Sequence, residues 1–335
     1  MSKNIEYKSV LSPFIREFIA LKEAAGINTR LSKSILREFD TFYIVDNITE
    51  PIITRGFLEQ WRKTRENDSP GTLHNKYSVW SQLARFMSRH GYECYIPKLP
   101  RYTLSSKQGF TPYVFTHEQI ATLLNKSSEL IISTRNMSTP VFCVPAVLRL
   151  LYSTGLRISE ALLIRNSDVK MDKGYIHIRK TKNGCERIVP INDDLRVVLQ
   201  QYVFYRDKMP IKNIAASGNH FFIKPDGSPC IPRAIYEWFR RLLRKCGIPY
   251  TGNHQGAHLH SLRHTMAVHS MEQMARNGID LYASLPIIST CLGHKSLSAT
   301  EQYVRLTCEM YPELNEQSSA VAAFVYPQII KNGMK

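Results

Sequence analysis

No stretch of the chain approaches the roughly 18 consecutive apolar residues that a membrane-spanning helix requires. The first ten residues, MSKNIEYKSV, also lack the apolar core of a secretory signal, so the expected setting is the cytoplasm, at the nucleoid, with no membrane partner. Cysteine pairs at metal or redox spacing are missing too. The seven cysteines (Cys94, Cys143, Cys185, Cys230, Cys246, Cys291 and Cys308) are scattered without a single CxxC, which argues for reduced thiols and against a disulfide framework or a zinc module. There is no GxxxxGK[ST] phosphate loop and no GxSxG elbow, so nucleotide hydrolysis and serine-hydrolase chemistry lack support. Internal repeats and low-complexity tracts are absent as well. What is present is an ordinary globular composition, 43% hydrophobic and 21% charged over 335 residues, long enough for two domains.

Acid is the scarce charge. Against 44 Lys and Arg stand 28 Asp and Glu, a net charge of +16, the footprint expected of a protein with a nucleic-acid partner. Residues 1–110 carry 17 basic and 11 acidic residues, +6, which leaves +10 for the remainder. A ligand gripped by two domains fits this distribution better than one basic tail on a neutral enzyme.

The first part, residues 1–91, reads as a small all-helical domain. Ser12-Pro13 opens a helix through Phe14, Phe18, Leu21 and Ala25, with Gly26 placed to end it. Leu31, Ile35, Phe39 and Phe42 repeat at helical spacing, and Phe57, Leu58 and Trp61 form a third stripe trailed by Arg62, Lys63 and Arg65. A fourth helix after Ser69-Pro70-Gly71 places Leu73, Tyr77, Trp80, Leu83, Ala84 and Met87 on one face, and Gly91 is its stop. Its other face carries His74, Gln82, Arg85 and Arg89. That face reads either as a DNA-groove surface touching phosphates and base edges or as an ordinary solvated one.

Residues 92–113 hold three prolines and no periodicity, so a linker is expected there. A second domain, residues 114–335, then opens with the capping box Thr116/Gln119, followed by a buried helix from Val141 to Tyr152 closed at Gly155. A strand pair follows, Tyr175-Ile176-His177-Ile178 and Arg187-Ile188-Val189, joined around Asn183-Gly184. Helices are expected at about 193–207 and 232–245.

The remaining chemistry lies in Arg and His clusters of this second domain: Thr154-Gly155-Leu156-Arg157-Ile158-Ser159-Glu160, His258-Leu259-His260-Ser261-Leu262-Arg263-His264, Leu292-Gly293-His294, and Tyr303 nine residues later. Three readings compete. His258, His260, His264 and His269 are close enough in sequence for a metal site, although no carboxylate or thiolate accompanies them at ligand spacing. Each residue taken singly also fits a satisfied core histidine or a surface arginine. The third reading is an anion site for phosphoryl transfer, two guanidinium forks beside a tyrosine nucleophile.

At these clusters the sequence resembles the tyrosine recombinase (phage integrase) family, which carries an arginine in a TGLRxSE turn, a lysine in a β-hairpin, an HxxR box, an LGH box and a following tyrosine. The resemblance implies Arg157 as the first catalytic arginine, with Glu160 supporting it. It also implies His260 and Arg263 as the HxxR pair, His294 as the LGH histidine and Tyr303 as the nucleophile. Anchoring on Glu186-Arg187-Ile188-Val189-Pro190 assigns the hairpin lysine to Lys182, with Lys180 as its rival. The motifs span about residues 113–310; residues 10–90 match by helix count and position alone. The implied fold is mainly α with a small antiparallel β-sheet, a helical DNA-binding core domain (SAM-like) plus an α+β catalytic domain, closing on DNA as a C-shaped clamp. Two departures stand out. Gly278 to His294 spans sixteen residues, longer than is common in the family and interrupted by Pro286, which resembles transposon-associated members. The first helix starts near residue 12, which leaves no room for the arm-site-binding domain of lambda-type integrases.

The implied activity is site-specific recombination through a 3′-phosphotyrosine and a Holliday junction, for integration, excision or transposition of a mobile element. Chromosome dimer resolution of the Xer kind, type IB topoisomerase-like activity and non-catalytic DNA binding are the alternatives. His260 is the expected base and Lys182 the expected acid, and neither ATP nor a metal is needed because the covalent bond conserves the phosphodiester's energy. The implied partners are double-stranded DNA with inverted half-sites, further copies of the chain in a homo-tetramer, and accessory or companion recombinase proteins. The apolar stretch Ala320-Val321-Ala322-Ala323-Phe324-Val325-Tyr326 needs a groove. It either completes its own subunit's core or is exchanged with a neighbour.

Overall fold

The computed structural model describes residues 6–100, 111–132, 137–179, 186–251 and 256–314. The chain divides into two compact units, Met1–Phe110 and Thr111–Lys335. The expected linker, residues 92–113, straddles that boundary, and its residues 101–110 lie outside the described residues, as do Lys180, Lys182, the Asn183-Gly184 turn and the apolar C-terminal stretch.

In the first unit four helices, α1 (Ser12–Ala24), α2 (Arg30–Val45), α3 (Arg55–Lys63) and α4 (Pro70–Arg89), enclose an aromatic core. Phe39 of α2 meets Trp80 of α4 with ring centroids 4.0 Å apart and Trp61 of α3 at 5.0 Å, the tilted and edge-on geometries that aromatic quadrupoles favour. Thr54 and Ser69 cap α3 and α4 by accepting hydrogen bonds from the amides of Phe57 and Thr72.

Three local expectations need correction. Helix α1, expected to be capped at Ser12-Pro13, has no side-chain cap; Ser12 is its first residue, and its hydroxyl donates to the Tyr7 carbonyl. Leu31 faces solvent, and the buried stripe of α2 is Ile35, Leu36, Phe39 and Tyr43. The buried face of α4 is also wider than the expected stripe. Val79 and Phe86 are buried, and Lys76 is held inside by Glu38 and Asp68, each at 2.8 Å.

The second unit runs through α5 (His117–Ser128), α6 (Val144–Thr154), the short α7 (Ile158–Ala161), β1 (Val169–Lys170), β2 (Tyr175–Ile178), β3 (Arg187–Pro190), α8 (Asp193–Arg206), α9 (Pro232–Lys245), α10 (Ser261–Arg276), α11 (Leu281–Leu292) and α12 (Ser298–Met310). The strands form an antiparallel sheet in the order β1-β2-β3, with Ile176 opposite Val189; β1 is an addition to the expected pair. The Thr116/Gln119 capping box opens α5 as expected. α6 starts at Val144 rather than Val141, with Pro145 in its first turn, where a missing amide proton costs nothing.

The axis of the unit is α10, buried along most of its length and packed against α6, α11 and α12. Pro286 does not interrupt its region; it lies within α11 on the exposed side. The carbonyl that loses its partner belongs to Tyr282, itself 62% exposed, so water can satisfy it. Among the described residues no helix is long and apolar enough to cross a membrane.

Gly155 ends α6 in the left-handed conformation, φ 63°. A Cβ there would collide with the Met266 methyl of α10 and lie 2.8 Å from Leu292 Cδ2 of α11. Gly155→Ala therefore combines left-handed strain with overpacking and should lower stability by about 2 kcal/mol or more. Urea unfolding of the variant checks this, and a loss below about 0.5 kcal/mol, the scale of an ordinary surface substitution, would refute the close packing.

Candidate active site

The sharp turn at Gly155 sends the chain into α7, and Arg157 occupies the position just before that helix. Its amide donates to Glu160 Oε2 at 3.1 Å and its Nη1 to Oε1 at 2.9 Å. Glu160, whose side chain is only 1% exposed, also accepts from Arg187 Nη2 of β3 at 2.7 Å. Burial alone would push this carboxyl up; the hydrogen bond and charge of Arg187, with the bonds from Arg157, hold it below the usual carboxylate range instead. Arg187 Nε in turn donates to the Cys291 carbonyl at 3.2 Å, so one side chain ties the sheet, Glu160 and the end of α11 together.

Arg263, on the first turn of α10, donates Nη1 to the Gly155 carbonyl at 2.6 Å and Nη2 to the Leu292 carbonyl at 2.7 Å. Both carbonyls stand at helix C-termini, where free acceptors and the negative dipole end favour a cation. Burial and the neighbouring Arg157 bring the guanidinium down to about 10. Just beyond Gly293, whose φ of 66° closes α11, His294 Nδ1 lies 2.8 Å from Thr300 Oγ1. Its ring runs nearly parallel to that of Tyr303, with centroids 6.4 Å apart.

Tyr303 of α12 is 1% exposed, and its hydroxyl lies 2.9 Å from His264 Nδ1. Burial pushes the phenol up to about 12, against the lowering pull of Arg263 and Arg157. Burial, helped by Arg263 and other neighbouring groups, pushes the histidines down: His260 to about 4, His264 to about 3 and His294 to about 4. The site at neutral pH is thus a set of fixed guanidinium charges, uncharged imidazoles and a protonated phenol, a constellation suited to an anionic centre with negative oxygens.

Arg157, Glu160, His260, Arg263, His294 and Tyr303, expected from separate stretches of sequence, meet in this one place. One expectation shifts: the imidazole bonded to the phenol is His264, and His260 stands edge-on to it with ring centroids 4.9 Å apart. The four histidines near the HxxR box do not converge as metal ligands. His269 instead bonds the Tyr152 hydroxyl and stacks on His117, and the described residues contain no His, Cys, Asp or Glu group arranged for a metal. Of the helical unit's candidate residues, Arg62, Lys63, Arg85 and Arg89 are exposed. Arg65 is engaged by Glu38 at 2.7 Å, His74 by the Pro100 carbonyl and Gln82 by Ser78. Arg187 was named from sequence only as part of the strand and its register anchor, and His264 only as a possible metal ligand; the contacts of Arg187 with Glu160 and of His264 with Tyr303 come from the structure.

The protonation states fix an acid response. Between pH 6.5 and about 4 the unfolded chain binds protons that the depressed histidines refuse, so stability should fall as pH drops through this window. Below the ordinary glutamate value of 4.5 the contribution of ionised Glu160 is lost as well. Glu160→Gln should cost about 3 kcal/mol at neutral pH, the scale for breaking a buried ion pair. Urea melts from pH 8 to 4 should show parallel losses for both proteins down to about pH 4.5, then a narrowing gap; a gap independent of pH throughout would contradict the ionised, doubly paired Glu160.

The phage integrase family model matches residues 113–310. Similar proteins include tyrosine recombinase XerD of Staphylococcus saprophyticus, 27% identical over 87% of this chain and 92% of that one. XerC of Thermodesulfovibrio yellowstonii is 24% identical over 92% and 95%, and XerA of Pyrococcus furiosus is 30% identical over 52% and 54%. Among solved structures, the fold is similar to that of the XerH site-specific recombinase in a post-cleavage complex with DNA (TM-score 0.59, 19% identity, 84% of this chain and 77% of that one). It is also similar to the Tn1549 transposon integrase with circular intermediate DNA (0.58, 19%, 87% and 94%) and to a lambda integrase dimer on a core site (0.59, 14%, 87% and 94%). With its arginines, histidines and tyrosine gathered in the segment that this family model covers, the chain belongs to the phage integrase family, the tyrosine recombinases, which break and rejoin DNA strands.

Proposed function

We propose that the protein is a site-specific recombinase acting on double-stranded DNA with inverted half-sites, with Tyr303 as nucleophile. The observation that carries this reading is the convergence of Tyr303, Arg157, Arg263 and His294 from four separate segments on one buried, cationic centre. In the cleavage step Tyr303 Oη bonds to phosphorus while the bond from phosphorus to the 5′ oxygen breaks. The phenol's proton passes to a base, for which His260 is the expected group, and Lys182, with Lys180 as rival, gives a proton to the departing oxygen. Arg157 and Arg263, with His294, bear the charge growing on the non-bridging oxygens. Glu160 and Arg187 hold Arg157 in register. Attack by a 5′ hydroxyl from a second duplex reverses the step and exchanges strands.

Exposed Arg62, Lys63, Arg85 and Arg89 fit backbone contacts from the helical unit, and the net charge of +16 fits the same partner. The long segment before His294 favours a mobile element over chromosome dimer resolution. Assembly as a tetramer, through exchange of the apolar C-terminal stretch, and the involvement of accessory proteins belong to this same reading.

Tyr303→Phe should bind DNA nearly as well as wild type and form no covalent complex on a nicked suicide substrate; a persistent covalent complex would move the nucleophile elsewhere, with Tyr311 next in line. Recombined products from paired sites distinguish a recombinase from a topoisomerase. Lys182→Ala should slow cleavage strongly, and a 5′-bridging sulfur, whose thiolate leaves without a proton, should restore it. Rescue of Lys180→Ala in its place would shift the acid by two residues.

A further inference from the structure

The histidine against the nucleophile is not the HxxR histidine. Helix α10 presents Arg263 and His264 as consecutive residues about 100° apart around its axis, so when Arg263 reaches the ends of α6 and α11, His264 is turned toward α12. There its Nδ1 lies 2.9 Å from Tyr303 Oη. Both side chains are enclosed, His264 9% exposed and Tyr303 1%. No hydrogen bond joins His260 to the phenol among those of the described residues; its ring meets the ring of His264 edge-on. We propose that His264 is a positioning residue for cleavage, its Nδ1 fixing the Tyr303 hydroxyl oxygen in the line of attack on the phosphate. The proposal rests on the reading of Tyr303 as nucleophile.

The chemistry of the pair argues for aiming rather than for proton storage. His264 is pushed down to about 3 by burial and by His260, His258, Arg263 and His294, and the phenol is pushed up to about 12. An imidazole so weakly basic is a poor acceptor for the proton of so weak an acid. It is nevertheless a good hydrogen-bond partner, because a neutral ring carries one acceptor and one donor nitrogen. With its proton on Nδ1, the ring donates to the phenol oxygen and leaves the O–H proton free to pass to the base; the same N–H donates to the phenolate or phosphotyrosine ester oxygen afterwards. One side chain therefore holds Oη before and after the phosphorus–oxygen bond forms, without itself changing charge. A single-residue contact of this kind restricts the phenol to a near-attack position, and misplacement by about 1 Å costs on the order of 100-fold in rate.

The test uses the full-length protein and a nicked suicide duplex, measuring the single-turnover rate of covalent complex formation and, separately, DNA affinity. His264→Leu removes the polar atom at similar bulk, while His264→Asn places an amide near the position of Nδ1 but cannot serve as a base. The expected result is a loss on the order of 100-fold in rate for the Leu variant with DNA affinity within about threefold, and recovery of at least tenfold of that rate in the Asn variant. A Leu variant that cleaves at the wild-type rate would show the bond to be incidental. An Asn variant as slow as the Leu variant would make His264 the proton acceptor and overturn the positioning role. If the Leu variant does not fold, the Asn variant decides alone: a rate within about tenfold of wild type supports the proposal and a greater loss refutes it. Tyr303→Phe runs alongside, and covalent complex in that control would refute the nucleophile itself, a failure distinct from any outcome at His264.

Discussion

A buried guanidinium stapling two helix ends is the constraint on which the second unit depends. Arg263 is 2% exposed and spends one nitrogen on the Gly155 carbonyl and another on the Leu292 carbonyl. These are the last acceptors of α6 and α11, which otherwise would be left without partners as the chain turns away. Because both turns are made by left-handed glycines, Gly155 and Gly293, the same two bonds set where the next residues go. Arg157 follows the first turn by two positions and His294 follows the second by one. A single side chain thus fixes the spacing of the site and supplies part of its charge.

The charge is arranged to stay fixed when conditions change. Glu160 is bonded to both Arg157 and Arg187 and remains ionised although buried. Three guanidinium groups around one carboxylate leave an excess of positive charge; burial, helped by nearby positive charge, holds His260, His264 and His294 neutral, and the same charge pulls against the burial that keeps Tyr303 protonated. Such an arrangement needs little reorganisation to receive an anionic phosphodiester, whose charge would offset the excess that the protein has already assembled. Arg187 extends the network to the strand that follows the hairpin lysines, so the sheet and the arginine turn are mechanically joined through Glu160.

Much of the site was legible because its motifs are local turns. Gly155 reads as a helix stop just before Arg157, and it is one because glycine takes a left-handed cap without strain; Gly293 closes α11 in the same way. The capping box at Thr116 and the strand pair at β2 and β3 were visible for equally local reasons. Less legible were features that depend on what lies opposite. Leu31 has the right period for burial and faces solvent, while Lys76, a charged residue within the apolar stripe of α4, is drawn inside by Glu38 and Asp68.

The sequence by itself determined the helical and small-sheet composition, the two-unit division and which residues gather at the site, since each rests on spacing, caps and motifs within a few positions. Only the tertiary structure decided which histidine meets Tyr303 and which arginine completes the pairing of Glu160. His260 and His264 are one helical turn apart, and nothing in their local sequence says which one α12 will approach. The partnership of Arg187 with Glu160 spans 27 positions and exists only because β3 packs beside α7. Contacts of that kind are set by how elements pack, and packing is a property of the whole chain.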